Sequence, residues 1–212
     1  MIQEFLKSLP PCRVLDLDGP VAIIDLSVGG PNSSVELTDS YVAGLAADAG
    51  AHFLAGGYNE QRAIYRRSAL FGEARDIHIG LDLWAPVGTG VVAPIRGTVH
   101  SFAYNTGVGN YGPTVILHHK LKEFTFYSLY GHLSAESLDE LEIDEEIPAG
   151  TVFAALGNRS ENGDYAPHLH FQLIVDLEGY SGDYPGVCSS SDLKHYLVNC
   201  PDPNLLLKLD YK

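Results

Sequence analysis

Hydrophobic positions in the middle of the chain recur mostly with a period of two. The stretches 79–84, 90–104, 113–120, 123–131, 151–156 and 168–176 alternate apolar with polar residues or are rich in β-branched ones. That pattern predicts strands. Ahead of them, Val21 to Val28 reads as a further strand. Leu37 to Ala49 reads as a short helix capped by Thr38 or Ser40. Gly56-Gly57-Tyr58 breaks the pattern, and Glu60 to Arg67 reads as a helical turn carrying Arg62, Arg66 and Arg67. After the last strand the chain turns to loops, with one short apolar helix starting after Pro203. The expectation is a mainly β protein with short peripheral helices.

Two stretches echo each other. Pro86-Val87-Gly88-Thr89 and Pro148-Ala149-Gly150-Thr151 each feed a β run, and the runs end at Gly97 and Gly157. A repeat of this kind implies two similar β units packed about a common core.

Three histidine-bearing stretches carry the candidate chemistry. In Pro167-His168-Leu169-His170-Phe171 the histidines share one side of a strand. They lie roughly 7 Å apart at a rise of about 3.3 Å per residue. One imidazole can bind a metal while the other handles a proton. Two polar side chains on a solvated sheet face is an equally open reading of this pair alone. Upstream, His78 and Asp82 flank Gly80, whose neighbours Ile77 and Ile79 argue against a helix. A straight strand would set His78 and Asp82 about 13 Å apart, too far for one ion. A bend at Gly80 closes that gap, and glycine permits one. Imidazole and carboxylate are both zinc ligands, and three protein ligands plus water make a catalytic zinc site. His78, Asp82 and one histidine of the pair supply that count. The third stretch, Tyr127 to Ser134, ends its alternation at His132. Taken alone, His132 reads as a surface histidine.

Together and in this order, His78-x-x-x-Asp82, Tyr130-Gly131-His132-Leu133-Ser134 and His168-x-His170 resemble the M23 family of zinc metallopeptidases, the lysostaphin-like peptidoglycan endopeptidases. Phe71-Gly72-x-x-Arg75, the run from Asp82 to Val99 and Asn110-Tyr111-Gly112 add to the likeness. It covers residues 68–176, which leaves an N-terminal extension at 1–67 and a C-terminal segment at 177–212. The resemblance implies an antiparallel sheet of the duplicated hybrid motif, the fold the family shares with sugar-phosphotransferase carrier domains. It implies one zinc per chain held by His78, Asp82 and His170, with His132 and His168 as unliganded catalytic histidines. Tyr104, Asn105 and Tyr111 become candidate substrate donors on the rim, and His119 a structural histidine of the sheet. The implied activity is metalloendopeptidase cleavage of a peptide or amide bond, with a peptide or muropeptide as substrate. The stretch Asn158 to Ala166 departs from the short Thr-Gly-rich segment of lysostaphin-like members, so a Gly-Gly cross-bridge substrate stays open. Gly57-Tyr58-x-Glu60-x-Arg62 and the tail resemble M23-like domains found beside class III aminotransferase-like and kinase-like domains. That likeness implies an unsecreted branch and functional association with an aminotransferase-like protein.

Composition narrows the partners. The 212 residues are 45% hydrophobic and 19% charged, an ordinary globular balance. No apolar run reaches the roughly 18 residues of a membrane span. The start, Met1 to Pro11, does not read as a secretory signal, so a cytoplasmic site is expected, with action at the cell envelope still open. Three widely spaced cysteines, Cys12, Cys188 and Cys200, fit free thiols better than a disulfide framework. A net charge of −14 disfavours nucleic acid and anionic membranes. Glu161 and Asp164 would favour an amine-bearing substrate if they line the cleft. Arg62, Arg66 and Arg67 are expected on a solvated face or paired with the acidic surface, a substrate-carboxylate clamp being the alternative. His52, His100, His118 and His195 lack donor neighbours and are read as surface or structural groups. Two further classes stay open. One is a catalytically silent binding module of the same fold. The other is a phosphoryl carrier, which a carboxylate at Asp82 disfavours.

Overall fold

Alternating side chains become a ladder wherever one face of a strand can be buried, and the chain does this repeatedly. The computed structural model describes residues 2–67 and 75–210. In chain order the strands are β1 (Val21–Ile24), β2 (Phe53–Gly56), β3 (Glu60–Gln61), β4 (Arg75–His78), β5 (Leu81–Trp84), β6 (Gly90–Val92) and β7 (Gly97–Asn105). They continue as β8 (Gly112–Leu121), β9 (Phe124–Gly131), β10 (Glu146–Ile147), β11 (Val152–Ala155), β12 (His168–Ile174) and β13 (Val187–Ser189). The helices are short: α1 (Ile2–Ser8), α2 (Asp39–Asp48), α3 (Leu193–Asn199) and α4 (Asn204–Leu207). Thr38 caps α2, its hydroxyl accepting from the Tyr41 amide. Among the described residues no helix is long and apolar enough to cross a membrane.

Eight strands form the main sheet, in the order β1-β2-β5-β12-β9-β8-β7-β10. Every pairing is antiparallel except that of β1 with β2. The central strand β12 is buried along its whole length. Leu169, Phe171 and Leu173 enter the main core with Leu81, Leu83, Val115, Leu117 and Tyr130. His168, His170 and Gln172 necessarily take the other face. A second small sheet, β13-β4-β3, packs over that face, and the pair β11-β6 lies apart. Because β6 and β11 belong to the two echoing stretches, the repeat is realised as two units that pair with each other.

Several expected strands are divided. The strand expected at 79–84 begins only at Leu81, as β5; Ile79 and Gly80 link it to β4, which ends at His78 and belongs to a different sheet. The stretch 90–104 is likewise two strands, β6 and β7, separated by Ala93 to Arg96. Glu60 and Gln61 are strand, and only Ala63–Arg67 winds, as a 3-10 turn. The helix expected after Pro203 is α4. The strands β2 and β13 and the helices α1 and α3 were not foreseen, although Ile2, Phe5, Leu6 and Leu9 fall at helical spacing and face the core. The N-terminal extension does not stand apart from the core, because β2 pairs directly with β5.

Cys12, Cys188 and Cys200 are free thiols, Cys188 and Cys200 both buried. Burial pushes Cys188 up to about 11 and Cys200 up to about 12. In native protein a chromogenic thiol reagent is therefore expected to label Cys12 alone, and all three thiols after unfolding; the absorbance at the endpoint checks it. Phe171 is fully buried at the centre of the core. Phe171→Ala is expected to lower unfolding stability by about 3–5 kcal/mol, read from the denaturant midpoint at constant m-value.

Candidate metal centre

The site is built where the two sheets meet. Register in the main sheet lines up Gly56 with Asp82, Asp82 with His170, and His170 with Gly131. Asp82 and His170 thus stand side by side on neighbouring strands, and His132 follows directly after the last member of that row. In the small sheet His78 pairs across to Glu60 on one side and Val187 on the other. Ile79 and Gly80 carry the chain from one sheet to the other, which swings His78 over Asp82. The bend expected at Gly80 is therefore a change of sheet. A Cβ at Gly80 would lie 2.5 Å from the His170 imidazole, so only glycine fits this close approach.

Three donor atoms converge at this point. His78 Nε2 lies 3.0 Å from His170 Nδ1 and 3.2 Å from Asp82 Oδ1, and His170 Nδ1 lies 3.1 Å from the same oxygen. The outward nitrogens fix the tautomers. His78 Nδ1 faces the Gly57 carbonyl at 2.8 Å, which can only accept, so the proton is there and Nε2 is bare. Likewise His170 Nε2 faces Gln172 Oε1 at 2.9 Å, the Gln172 amide nitrogen being spent on the Pro185 carbonyl and Cys200 Sγ. Burial, then the Arg62 charge, pushes His78 down to about 4, so it is neutral near pH 7. Burial would raise the Asp82 carboxyl, but the Arg62 guanidinium beside it outweighs that and holds it well below the usual range. Two bare nitrogens and an anionic oxygen facing one another in a buried pocket fit a divalent cation. Tetrahedral zinc, with bonds of about 2.0–2.1 Å, sets its ligand atoms about 3.3 Å apart. His78, Asp82 and His170 are also the group of donors among the described residues able to hold a metal ion.

Two more histidines stand beside the three donors. His132 Nδ1 donates to the Asn162 carbonyl and His168 Nδ1 to the Ala166 carbonyl, each at 2.8 Å. Both therefore present a bare Nε2, and their rings lie 4.2 Å apart between centroids. His168 Nε2 is 3.9 Å from Asp82 Oδ1. Burial lowers both imidazoles; the neighbouring histidines add to it at His132, whereas the Asp82 charge opposes it at His168. Trp84 stacks on His168 at 5.3 Å, and Tyr165 packs edge-on against both rings. His132 has φ 64°, uncommon for a residue with a side chain. Its amide donates to the Tyr111 carbonyl and its carbonyl accepts from Gly157, which holds the strained turn in place.

The site opens into a cleft of about 530 Å³. Tyr111 lines it, with its hydroxyl 3.4 Å from His170 Nε2. Tyr104 lines a neighbouring groove, and the Asn105 amide is turned away to Thr114 Oγ1 and the Gly182 carbonyl, so neither faces the donors. Of the two loop carboxylates, Asp164 lines the cleft and Glu161 does not. Glu161 is engaged by the Ala135 and Asn158 amides, and Asp164, on the cleft wall, pairs with Arg159 at 3.1 Å. The acidic groups that also face the cleft are Glu36 and Asp183. Arg62 is the clearest correction: it lies on no solvated face. Its side chain is 3% exposed and pairs with Asp82 Oδ2 at 2.5 Å. Its sequence signal was the alternation Glu60-x-Arg62, which by itself does not name a partner. The Arg66 and Arg67 side chains, and Phe71 and Gly72 of the extended motif, fall outside the described residues. His119 is buried, donating from Nδ1 to the Arg96 carbonyl with Ser128 Oγ at 2.6 Å from Nε2.

Comparison with known proteins points the same way. A sequence model of peptidase family M23 matches residues 76–181. An uncharacterized metalloprotease of Haemophilus influenzae is 31% identical over 150 residues, 68% of this chain and 29% of that protein. The DD-carboxypeptidase/endopeptidase Mpg of Neisseria meningitidis serogroup B is 30% identical over 129 residues, 57% of this chain and 27% of its own length. The matches thus span less than a third of either relative. The catalytic domain of lysostaphin from Staphylococcus simulans superposes with a TM-score of 0.45 at 21% identity, covering 76% of this chain and 98% of that domain.

Gly80→Ala tests the close approach. The added methyl would push the His170 ring aside, so divalent-metal affinity is expected to fall at least about tenfold while the circular dichroism spectrum stays native. Titration against a competing chelator measures it.

Proposed function

The chain belongs to peptidase family M23, and from that premise we propose that it is a zinc-dependent endopeptidase acting on peptide or amide bonds, with peptidoglycan-type peptides as its substrate class. The observation that carries this reading is the set of three mutually facing donors, His78 Nε2, Asp82 Oδ1 and His170 Nδ1, with two bare imidazole nitrogens beside them. The first three would hold the zinc. When bound, zinc supplies a Lewis acid that makes water nucleophilic near neutral pH and polarises a carbonyl oxygen.

The chain's own groups do the rest. His132 and His168 are neutral and present Nε2 to the cleft. One takes a proton from the attacking water at its bare Nε2 and, once protonated there, donates to the developing oxyanion or hands that proton to the leaving amine, while the other offers a second bare Nε2 beside it. The carbonyls of Asn162 and Ala166 hold each Nδ1 proton, so each ring transfers protons through Nε2 alone. Tyr111 contributes a phenol whose ionisation is pushed far up by burial and then by the Asp183 charge. It stays protonated and can donate to a substrate carbonyl. Trp84 and Tyr165 pack around the two catalytic imidazoles and keep bulk water from their faces. The name of the Neisseria relative, a DD-carboxypeptidase/endopeptidase, supports peptidoglycan-type peptides as the substrate class.

Protein purified without chelator is expected to carry about one zinc per chain, and Ala at His78, Asp82 or His170 to strip it. Full zinc content in Asp82→Ala would remove Asp82 from the ligand set; elemental analysis reads it. His132→Ala and His168→Ala are expected to keep the zinc and to lose turnover of a soluble muropeptide by about a hundredfold or more. Undiminished turnover in either variant would take that histidine out of the mechanism.

A further inference from the structure

Residues outside the stretch 76–181 close the metal centre from behind. The Gly57 carbonyl fixes the His78 tautomer. Arg62 sends Nη1 to Asp82 Oδ2 at 2.5 Å and Nε to Glu60 Oε2 at 2.5 Å, with Nη1 also 3.1 Å from Tyr65 Oη. Glu60 is anchored in turn, its other oxygen accepting from the Leu26 amide. The backbone of this segment is pinned beside the ligands: Glu60 pairs with His78 across the small sheet, and the Arg62 amide donates to the Asp76 carbonyl.

We infer that Arg62 is a positioning residue of the metal centre, holding Asp82 by its outer oxygen so that only Oδ1 faces the two imidazoles. This rests on the zinc reading above. A carboxylate has two equivalent oxygens and can rotate or offer both. In a site where Asp82 and Arg62 are each 3% exposed, water cannot substitute for the guanidinium on Oδ2. The planar fork of arginine engages Asp82 and Glu60 from different nitrogens at once, which an ammonium cannot do with the same geometry. Without Arg62 the buried Asp82 and the partly buried Glu60 would lose their shared cation, and Asp82 would be free to turn instead of presenting one oxygen. The segment Gly57 to Arg62 is thereby part of the metal site as well as a wall of the cleft.

The test is zinc affinity, measured by competition with a chromophoric chelator, on wild type, Arg62→Met, Arg62→Lys and Glu60→Gln. The absorption bands of the cobalt-loaded proteins report ligand geometry, and circular dichroism reports the fold. Arg62→Met is expected to weaken zinc about 10–100-fold and to shift the cobalt bands, the range typical of losing an outer-shell partner. Arg62→Lys should recover part of the affinity, and Glu60→Gln should lose a smaller factor in the same direction. Should Arg62→Met fail to fold, the lysine and glutamine variants decide. Folded variants with wild-type or tighter zinc binding and unchanged cobalt bands would overturn the role of Arg62. A wild-type protein that binds neither metal would instead overturn the zinc reading itself.

Discussion

Two bare imidazole nitrogens and a carboxylate oxygen, 3.0 to 3.2 Å apart on largely buried side chains, repel one another unless positive charge sits among them. Most of what is unusual in the molecule makes that arrangement possible. The Gly57 carbonyl and the Gln172 side chain keep protons on the outward nitrogens, which alone leaves the inward ones bare. Arg62 takes the second oxygen of the carboxylate and balances its charge inside the protein. Outer partners of this kind orient ligands and set their basicity, so the centre extends well beyond its three donors.

The constraint shapes the fold around it. A single sheet could not bring His78 and Asp82 together, because four residues of extended chain span about 13 Å. The chain solves this by leaving one sheet at His78 and entering another at Leu81, with Gly80 as the joint. The room for that joint is bounded by His170, so a side chain there would displace the imidazole. On the other flank, β9 ends in a turn with His132 at positive φ, a conformation held by hydrogen bonds from both sides. Backbone strain and the two unliganded imidazoles therefore coincide at one place, next to the donors.

The N-terminal segment gives the site its depth. Leu26, Leu37, Arg62 and Tyr65 line the cleft along with the core residues. Their contribution places apolar and aromatic walls over a floor of polar donors, the usual composition of a ligand pocket. The charged loop at 158–166 serves a different end. Glu161 ties together the Asn158 and Ala135 amides, and Asn162 presents its carbonyl to His132. Its acidity shapes the loop that holds the His132 imidazole, and Asp164, paired with Arg159, shares the cleft wall with Glu36 and Asp183.

The sequence by itself determined the β-rich core, the helix after Leu37 with its cap at Thr38 or Ser40, the pairing of histidines on one side of β12 and the need for a bend at Gly80. These are local matters: alternation, capping and glycine geometry act over a few residues and leave their mark in the order of the chain. Only the tertiary structure decided which second groups meet the donors. Arg62 precedes Asp82 by twenty positions and reads as one of several arginines, yet it is buried against that carboxylate. Asn105 looked like a rim donor and is spent on Thr114 and Gly182. The strands β2 and β13 were missed because burial on both faces leaves no polar alternation to read. Long-range partners are chosen by register and by which sheet covers which, and those depend on the packing of the whole chain rather than on any short stretch of it.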